Sequence, residues 1–139
     1  QPPVQFYERL EPAVFVLRLV PGMRADIIPL LAPHYRALVL ESFGVGGLPG
    51  GEHGEMFAAL RRWCESGRLA VFTTQVPHEG CDLAVYEVGR AVGELPGVLE
   101  ARDMTPEAVA VKLMWALGQT EDREKAARLF ETPIEYDIM

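Results

Sequence analysis

The segment Ala37-Leu38-Val39-Leu40-Glu41-Ser42-Phe43-Gly44-Val45-Gly46-Gly47-Leu48-Pro49-Gly50 opens with apolar residues, passes through a polar pair and ends in closely spaced glycines. An apolar run of this length bounded by turn formers reads as a buried strand. The glycines that follow allow positive φ or close backbone approach. A loop of this kind at the carboxyl end of a buried strand is where α/β proteins bind ligands.

Working outward, Val14-Phe15-Val16-Leu17-Arg18-Leu19-Val20 is rich in β-branched and aromatic residues and stops at Pro21-Gly22, so it reads as a first strand. Asp26 is placed to cap a helix over residues 26–35 that Pro33 shortens or kinks. After the glycine loop, Met56, Phe57, Leu60, Trp63 and Cys64 recur at helical spacing, and Gly67 stands where a C-terminal cap belongs. Residues 69–75 form a third strand, apolar at its start and polar at its end, the same polarity as the second.

Val98-Leu99 is a short fourth strand. Thr105, Pro106 and Glu107 then agree on one helix start: a capping hydroxyl, a proline at the first helical position and an acid in the first turn. Between Ala108 and Leu117 only Lys112 is charged, which predicts a helix buried on more than one side, and residues 121–130 form a more polar partner helix. Strands alternating with helices imply a parallel sheet with right-handed crossovers. The expected fold is α/β: a flavodoxin-like, three-layer α/β/α domain with a small, mainly parallel sheet of about four strands.

With 139 residues the chain fits one domain, and a composition 49% hydrophobic and 24% charged is that of a globular protein. A net charge of −7 without a basic run argues against nucleic acid as a partner. No apolar stretch approaches the roughly 20 residues that span a bilayer, and residues 1–10 lack a signal-peptide pattern, so the expectation is a cytoplasmic protein with no membrane association.

The parallel arrangement brings residues 20–26, 41–52 and 74–82 to one edge, which gathers Ser42, Thr73, Thr74, Gln75, His78, Glu79 and Asp82. Two readings of these polar residues stand together: they bind a small polar ligand, or they satisfy local backbone groups at the strand ends. Gly44-Val45-Gly46-Gly47 resembles part of a dinucleotide fingerprint, but Leu48-Pro49-Gly50-Gly51 delays the helix that the fingerprint requires. There is no P-loop and no GxSxG elbow, and neither Glu52, His53 and Glu55 nor His78, Glu79 and Cys81 have a recognised zinc spacing. Metal: none is expected. Cys64 and Cys81 do not form a CxxC pair, and Cys64 falls on an apolar helix face as a buried thiol.

Several segments, in order, are similar to the C-terminal domain of bacterial type I (cytoplasmic) L-asparaginases. They are Phe6-Tyr7-Glu8-Arg9-Leu10, Val20-Pro21-Gly22-Met23, Glu41-Ser42-Phe43-Gly44-Val45-Gly46, Thr73-Thr74-Gln75-Val76-Pro77-His78-Glu79-Gly80, Val85-Tyr86-Glu87-Val88-Gly89 and Asp103-Met104-Thr105-Pro106-Glu107-Ala108, followed by Lys112-Leu113. The resemblance implies a two-domain amidohydrolase that converts L-asparagine and water to L-aspartate and ammonia without a cofactor. Its threonine nucleophile, with a second Thr, an Asp and a Lys, belongs to an N-terminal catalytic domain whose motifs are not in this sequence.

Residues 1–139 are accordingly expected to form one C-terminal domain with no catalytic residue of its own, inactive alone. The resemblance also implies a homo-oligomer, dimer or tetramer, in which this domain completes a site for L-asparagine or L-aspartate. The implied binding positions are Ser42, Gly46, Gly47, Thr74, Gln75 and Glu79, with Tyr86 beside them. Gly47 replaces an Asn that the family often carries, and Glu41 stands where some type I enzymes have an effector-binding Arg. Two other readings stay open: a free-standing flavodoxin-like binding or regulatory module, and part of an asparaginase-like subunit of a tRNA amidotransferase.

Overall fold

A computed structural model of the chain describes residues 9–42, 48–74, 91–101 and 104–133. The described strands are β1 (Val14–Arg18), β2 (Ala37–Ser42), β3 (Leu69–Thr74) and β4 (Val98–Glu100), and they form one all-parallel sheet in the order β1-β2-β3-β4. The helices are α1 (Ile27–Leu31), α2 (Glu55–Glu65), α3 (Pro106–Gln119) and α4 (Arg123–Glu131). A single 3₁₀ turn, Gly51–His53, precedes α2. The expected α/β class and four-strand parallel sheet are what the chain forms.

Strand order explains the layering. Right-handed crossovers that step always in one direction place their helices on one face of the sheet. Leu17, Leu38, Leu40, Ala70 and Phe72 accordingly pack with Ile28 of α1 and with Met56, Leu60, Trp63 and Cys64 of α2. The alternate residues Val14, Ala37, Val39, Leu69 and Val71 pack with Val109, Leu113 and Leu117 of α3 and Ala126 and Phe130 of α4. The second face is therefore covered by the two C-terminal helices. Ala37 to Leu40 are fully buried because both faces of β2 are covered, which is why the segment reads as an unbroken apolar run.

Several helix ends follow the sequence. The Thr105 hydroxyl accepts from the Ala108 N–H and Pro106 opens α3. Gly67, at φ 91°, closes α2. Asp122 caps α4, and the N–H groups of Lys125 and then Glu124 hold its carboxyl below the usual range.

The first helix differs from expectation. It ends at Leu31 rather than Tyr35, because Pro33 has no N–H to extend the ladder. Asp26 does not cap it; its carboxylate instead pairs with Arg24 at 2.7 Å. α3 also departs in part. It is buried toward the sheet and α4, yet Val111 is exposed on its outer side.

A pattern not visible in the sequence unites the helices: each of the four described helices has its C-terminal carbonyls met by a cation from elsewhere in the chain. Arg68 donates to the Ala32 carbonyl (2.7 Å) after α1 and to the Tyr35 carbonyl beyond it (3.0 Å). Arg123 donates to Cys64 near the end of α2. Arg36 donates to the Leu117 carbonyl of α3 at 3.2 Å, and Lys112 donates to Thr132 at the end of α4 at 2.8 Å. These positions carry the partial negative charge of the helix dipole and leave carbonyls without intrahelical partners.

Candidate functional site

The register of the sheet fixes what meets at its carboxyl edge. Arg18 of β1 lies opposite Glu41 of β2, Glu41 opposite Thr73 of β3, and Ser42 opposite Thr74. Pairing continues one residue past β1, where the Leu19 N–H donates to the Glu41 carbonyl at 2.8 Å. The strand-end convergence expected from the sequence is thus present for Ser42 and Thr74. Of the remaining implied binding positions, Gly46, Gly47, Gln75, Glu79 and Tyr86 lie outside the described residues, as do His78, Cys81 and Asp82.

Ser42 is fully buried, and its hydroxyl donates to the Thr73 carbonyl at 3.2 Å. Its proton therefore ties β2 to β3, the backbone-satisfying role that stood beside the ligand-binding one. Thr73 is also buried, on the α3 side, whereas Glu41 is only partly buried.

The connection after the glycine run returns to the core through Leu48 and Pro49, then makes a double left-handed turn at Gly50 (φ 81°) and Gly51 (φ 71°). Successive residues at positive φ are tolerated by glycine alone without strain. Gly54 is required for a different reason: a Cβ there would stand 2.8 Å from the Gly50 carbonyl oxygen. The loop that looked glycine-rich in sequence is compact in its described half.

Because each crossover helix starts where its strand ends, the N-termini of α2 and α3 lie at this same edge. Their dipoles present positive potential to it, which favours a carboxylate-bearing ligand. Beside the first turn of α2 is an open groove of about 450 Å³ lined by His53, Gly54, Phe57 and Arg61. In the sequence, His53 shows no recognised ligand spacing and Arg61 falls off the apolar face of its helix. Their shared groove brings the 3₁₀ turn that carries His53 and the helix that carries Arg61 to one surface, a juxtaposition with no sequence signature.

Cys64, expected as a buried thiol, has no exposed surface, and burial pushes its thiol up to about 11. His34 and His53 are exposed. Among the described residues, no helix is long and apolar enough to cross a membrane.

A parallel sheet with helices packed on both faces and polar strand ends on one edge defines an α/β domain of layered architecture. The chain belongs to the family described as Glutaminase/Asparaginase C-terminal domain, which matches residues 13–130. The L-asparaginase of Thermococcus kodakarensis is 38% identical over 133 residues, 96% of this chain and 40% of that protein. Its solved structure superposes with a TM-score of 0.85 over 94% of this chain.

L-asparaginase I from Vibrio cholerae gives a TM-score of 0.80 at 28% identity, covering 93% of this chain and 38% of that one. A subunit of the glutamyl-tRNA(Gln) amidotransferase of Metallosphaera sedula is 35% identical over 93% of this chain and 28% of its own length. The chain spans about two fifths or less of the length of each of these relatives.

Proposed function

We propose that residues 1–139 are the C-terminal domain of a two-domain L-asparaginase that converts L-asparagine and water to L-aspartate and ammonia, with the nucleophile in a preceding domain. The observation that carries this reading is the 38% identity to an L-asparaginase along 96% of the chain. The carboxyl edge at Ser42 and Thr74, together with Gly46, Gly47, Gln75 and Glu79, which follow those strands in the sequence, is assigned to one wall of a site shared with another domain or subunit. Positive helix ends at that edge suit the carboxylates of asparagine and aspartate. Glu79 is assigned to the substrate's α-ammonium group, and the assembly is a cytoplasmic homodimer or tetramer without a cofactor.

The test is ammonia release from L-asparagine. The full-length protein is expected to be active and this chain alone inactive, and full-length Glu79→Gln is expected to raise KM. Wild-type kcat and KM in Glu79→Gln would remove the Glu79 assignment. No release by the full-length protein would remove the asparaginase reading.

A second reading, the asparaginase-like subunit of a tRNA-dependent amidotransferase, rests on the 35% identity to the Metallosphaera sedula protein. Binding of glutamylated tRNA by the full-length protein would favour it, and the −7 charge of this domain weighs against a tRNA surface here.

A further inference from the structure

The amino edge of the sheet, opposite Ser42 and Thr74, gathers positive charge in a chain that is acidic as a whole. Arg36 and Arg68 stand immediately before β2 and β3, whose first residues Ala37 and Leu69 are paired, and the Leu69 N–H donates to the Arg36 carbonyl at 3.3 Å. Arg123 reaches the same place from the start of α4. All three arginines are partly buried, and with Ser66, Gly67 and Leu117 they line a recessed pocket of about 160 Å³.

Each guanidinium is built into position. Arg68 donates from Nε to the Tyr35 carbonyl, from Nη1 to the Ser66 hydroxyl at 2.6 Å and from Nη2 to the Ala32 carbonyl, and it lies 5.2 Å from the centre of the Trp63 ring. Arg36 donates to the Leu117 and Thr120 carbonyls. Arg123 donates to the Cys64 carbonyl and pairs with Glu124. Gly97 makes room for Arg123: a Cβ there would stand 3.1 Å from its Nη1 and 2.8 Å from the Arg68 carbonyl oxygen.

These contacts leave both donors and charge over. A guanidinium has five N–H groups. Arg68 uses three of them, and Arg36 and Arg123 use two each. The C-terminal ends of α1, α2 and α3 supply only about half a negative charge apiece against three full positive charges. Glu121, exposed at the rim, is not ion-paired with any of the three arginines. The carboxylates of Glu121 and Glu124 temper the excess, which suits a single small anion and not a polyanionic partner. Planar forks with spare donors match the oxygens of a phosphate or carboxylate group, and partial burial limits screening of their charge by salt.

We infer that the Arg36–Arg68–Arg123 pocket is a binding site for a small oxyanion, held through its phosphate or carboxylate group. The inference is independent of the asparaginase reading. An anion there joins the starts of two strands to the ends of three helices, so its binding stabilises the domain.

The test is calorimetric titration of the full-length protein with inorganic phosphate and with acetate, at an ionic strength held constant with chloride. Saturable binding of at least one of the two is expected, and the tighter names the group that the site takes. Arg36→Gln is expected to weaken that binding about tenfold. Glu121→Gln, which alters an exposed rim carboxylate, is expected to tighten it about two- to fivefold, and it keeps the inference refutable should Arg36→Gln not fold. Lys125→Gln removes an exposed cation of α4 outside the pocket and is expected to leave binding unchanged. No saturable binding of either anion overturns the inference. So does binding that ignores both Arg36→Gln and Glu121→Gln, or binding lost in Lys125→Gln, which would place the anion elsewhere.

Discussion

Gly118→Ala offers a test in which the sign of the effect depends on one contact. Gly118 lies in α3, one residue before its end, and glycine within a helix costs about 1 kcal/mol relative to alanine. Judged by propensity alone, the substitution should stabilise by up to that amount. The structure predicts the opposite. A Cβ at 118 would collide with the Arg9 carbonyl oxygen and stand 2.8 Å from its carbonyl carbon, well inside van der Waals contact.

Both neighbours are backbone, so the segment at residues 9–11 must lift. Overpacking of this kind costs roughly 1–3 kcal/mol. Lifting also removes the Gln119 to Arg9 hydrogen bond, worth about 1 kcal/mol. Set against the propensity gain, the net loss is about 1–3 kcal/mol, or roughly 3–9 °C in Tm for a domain of this size. The assay is urea and thermal unfolding of the wild type and Gly118→Ala, each in the present chain and in a chain shortened to begin at residue 12. The reasoning requires Gly118→Ala to destabilise the longer chain and to be neutral or stabilising in the shorter. A similar stabilisation in both would refute it.

Further outcomes are expected at Thr105, Arg123 and Cys64. Thr105→Ala should cost about 1 kcal/mol by removing the acceptor of the Ala108 N–H, with Thr105→Ser close to wild type in chemical denaturation. Arg123→Ala should cost about 1.5–3 kcal/mol, because it removes a charge-assisted bond to the Cys64 carbonyl from a largely covered side chain. In a Cys81→Ser background, Cys64 should react with a thiol reagent only on the timescale of unfolding. The unfolded Cys64 thiol ionises near 9.0 while the folded one keeps its proton to about 11, so the folded state binds more protons in that window. Stability should therefore fall as pH rises from about 9 toward 11, and the decline should be smaller in Cys64→Ala.

The parts of the fold legible in the sequence were those set by neighbouring residues. β2 announced itself because a strand covered on both faces has no polar position to alternate with. α3 announced its start because Thr105 and Pro106 act within one turn. α1 was less legible because Asp26 looks like a cap in sequence, yet Arg24 draws its carboxylate away and the backbone there is already helical.

The cationic helix ends were not legible at all: their acceptors are backbone carbonyls 36, 59 and 81 positions from Arg68, Arg123 and Arg36, and a carbonyl has no residue identity to read. At the candidate site, the meeting of Ser42 and Thr74 followed from strand polarity alone. The use of the Ser42 hydroxyl by the Thr73 carbonyl did not, since it depends on the register between two strands.

The long-range cations also govern the order in which the domain becomes a stable object during synthesis. When a ribosome has delivered the chain as far as Thr105, β1 to β4 and the first two helices exist in sequence, but Val14, Ala37, Val39, Leu69 and Val71 have nothing to cover them. At that moment Arg36 lacks Leu117, and Cys64 lacks Arg123. A nascent or prematurely ended chain at this length is thus a sheet with one apolar face uncovered, the kind of species that chaperones hold and proteases remove. Completion of the domain is all but coincident with the arrival of α3 and α4, so a frameshift within either helix should act through protein abundance rather than through any damage to the carboxyl-edge site.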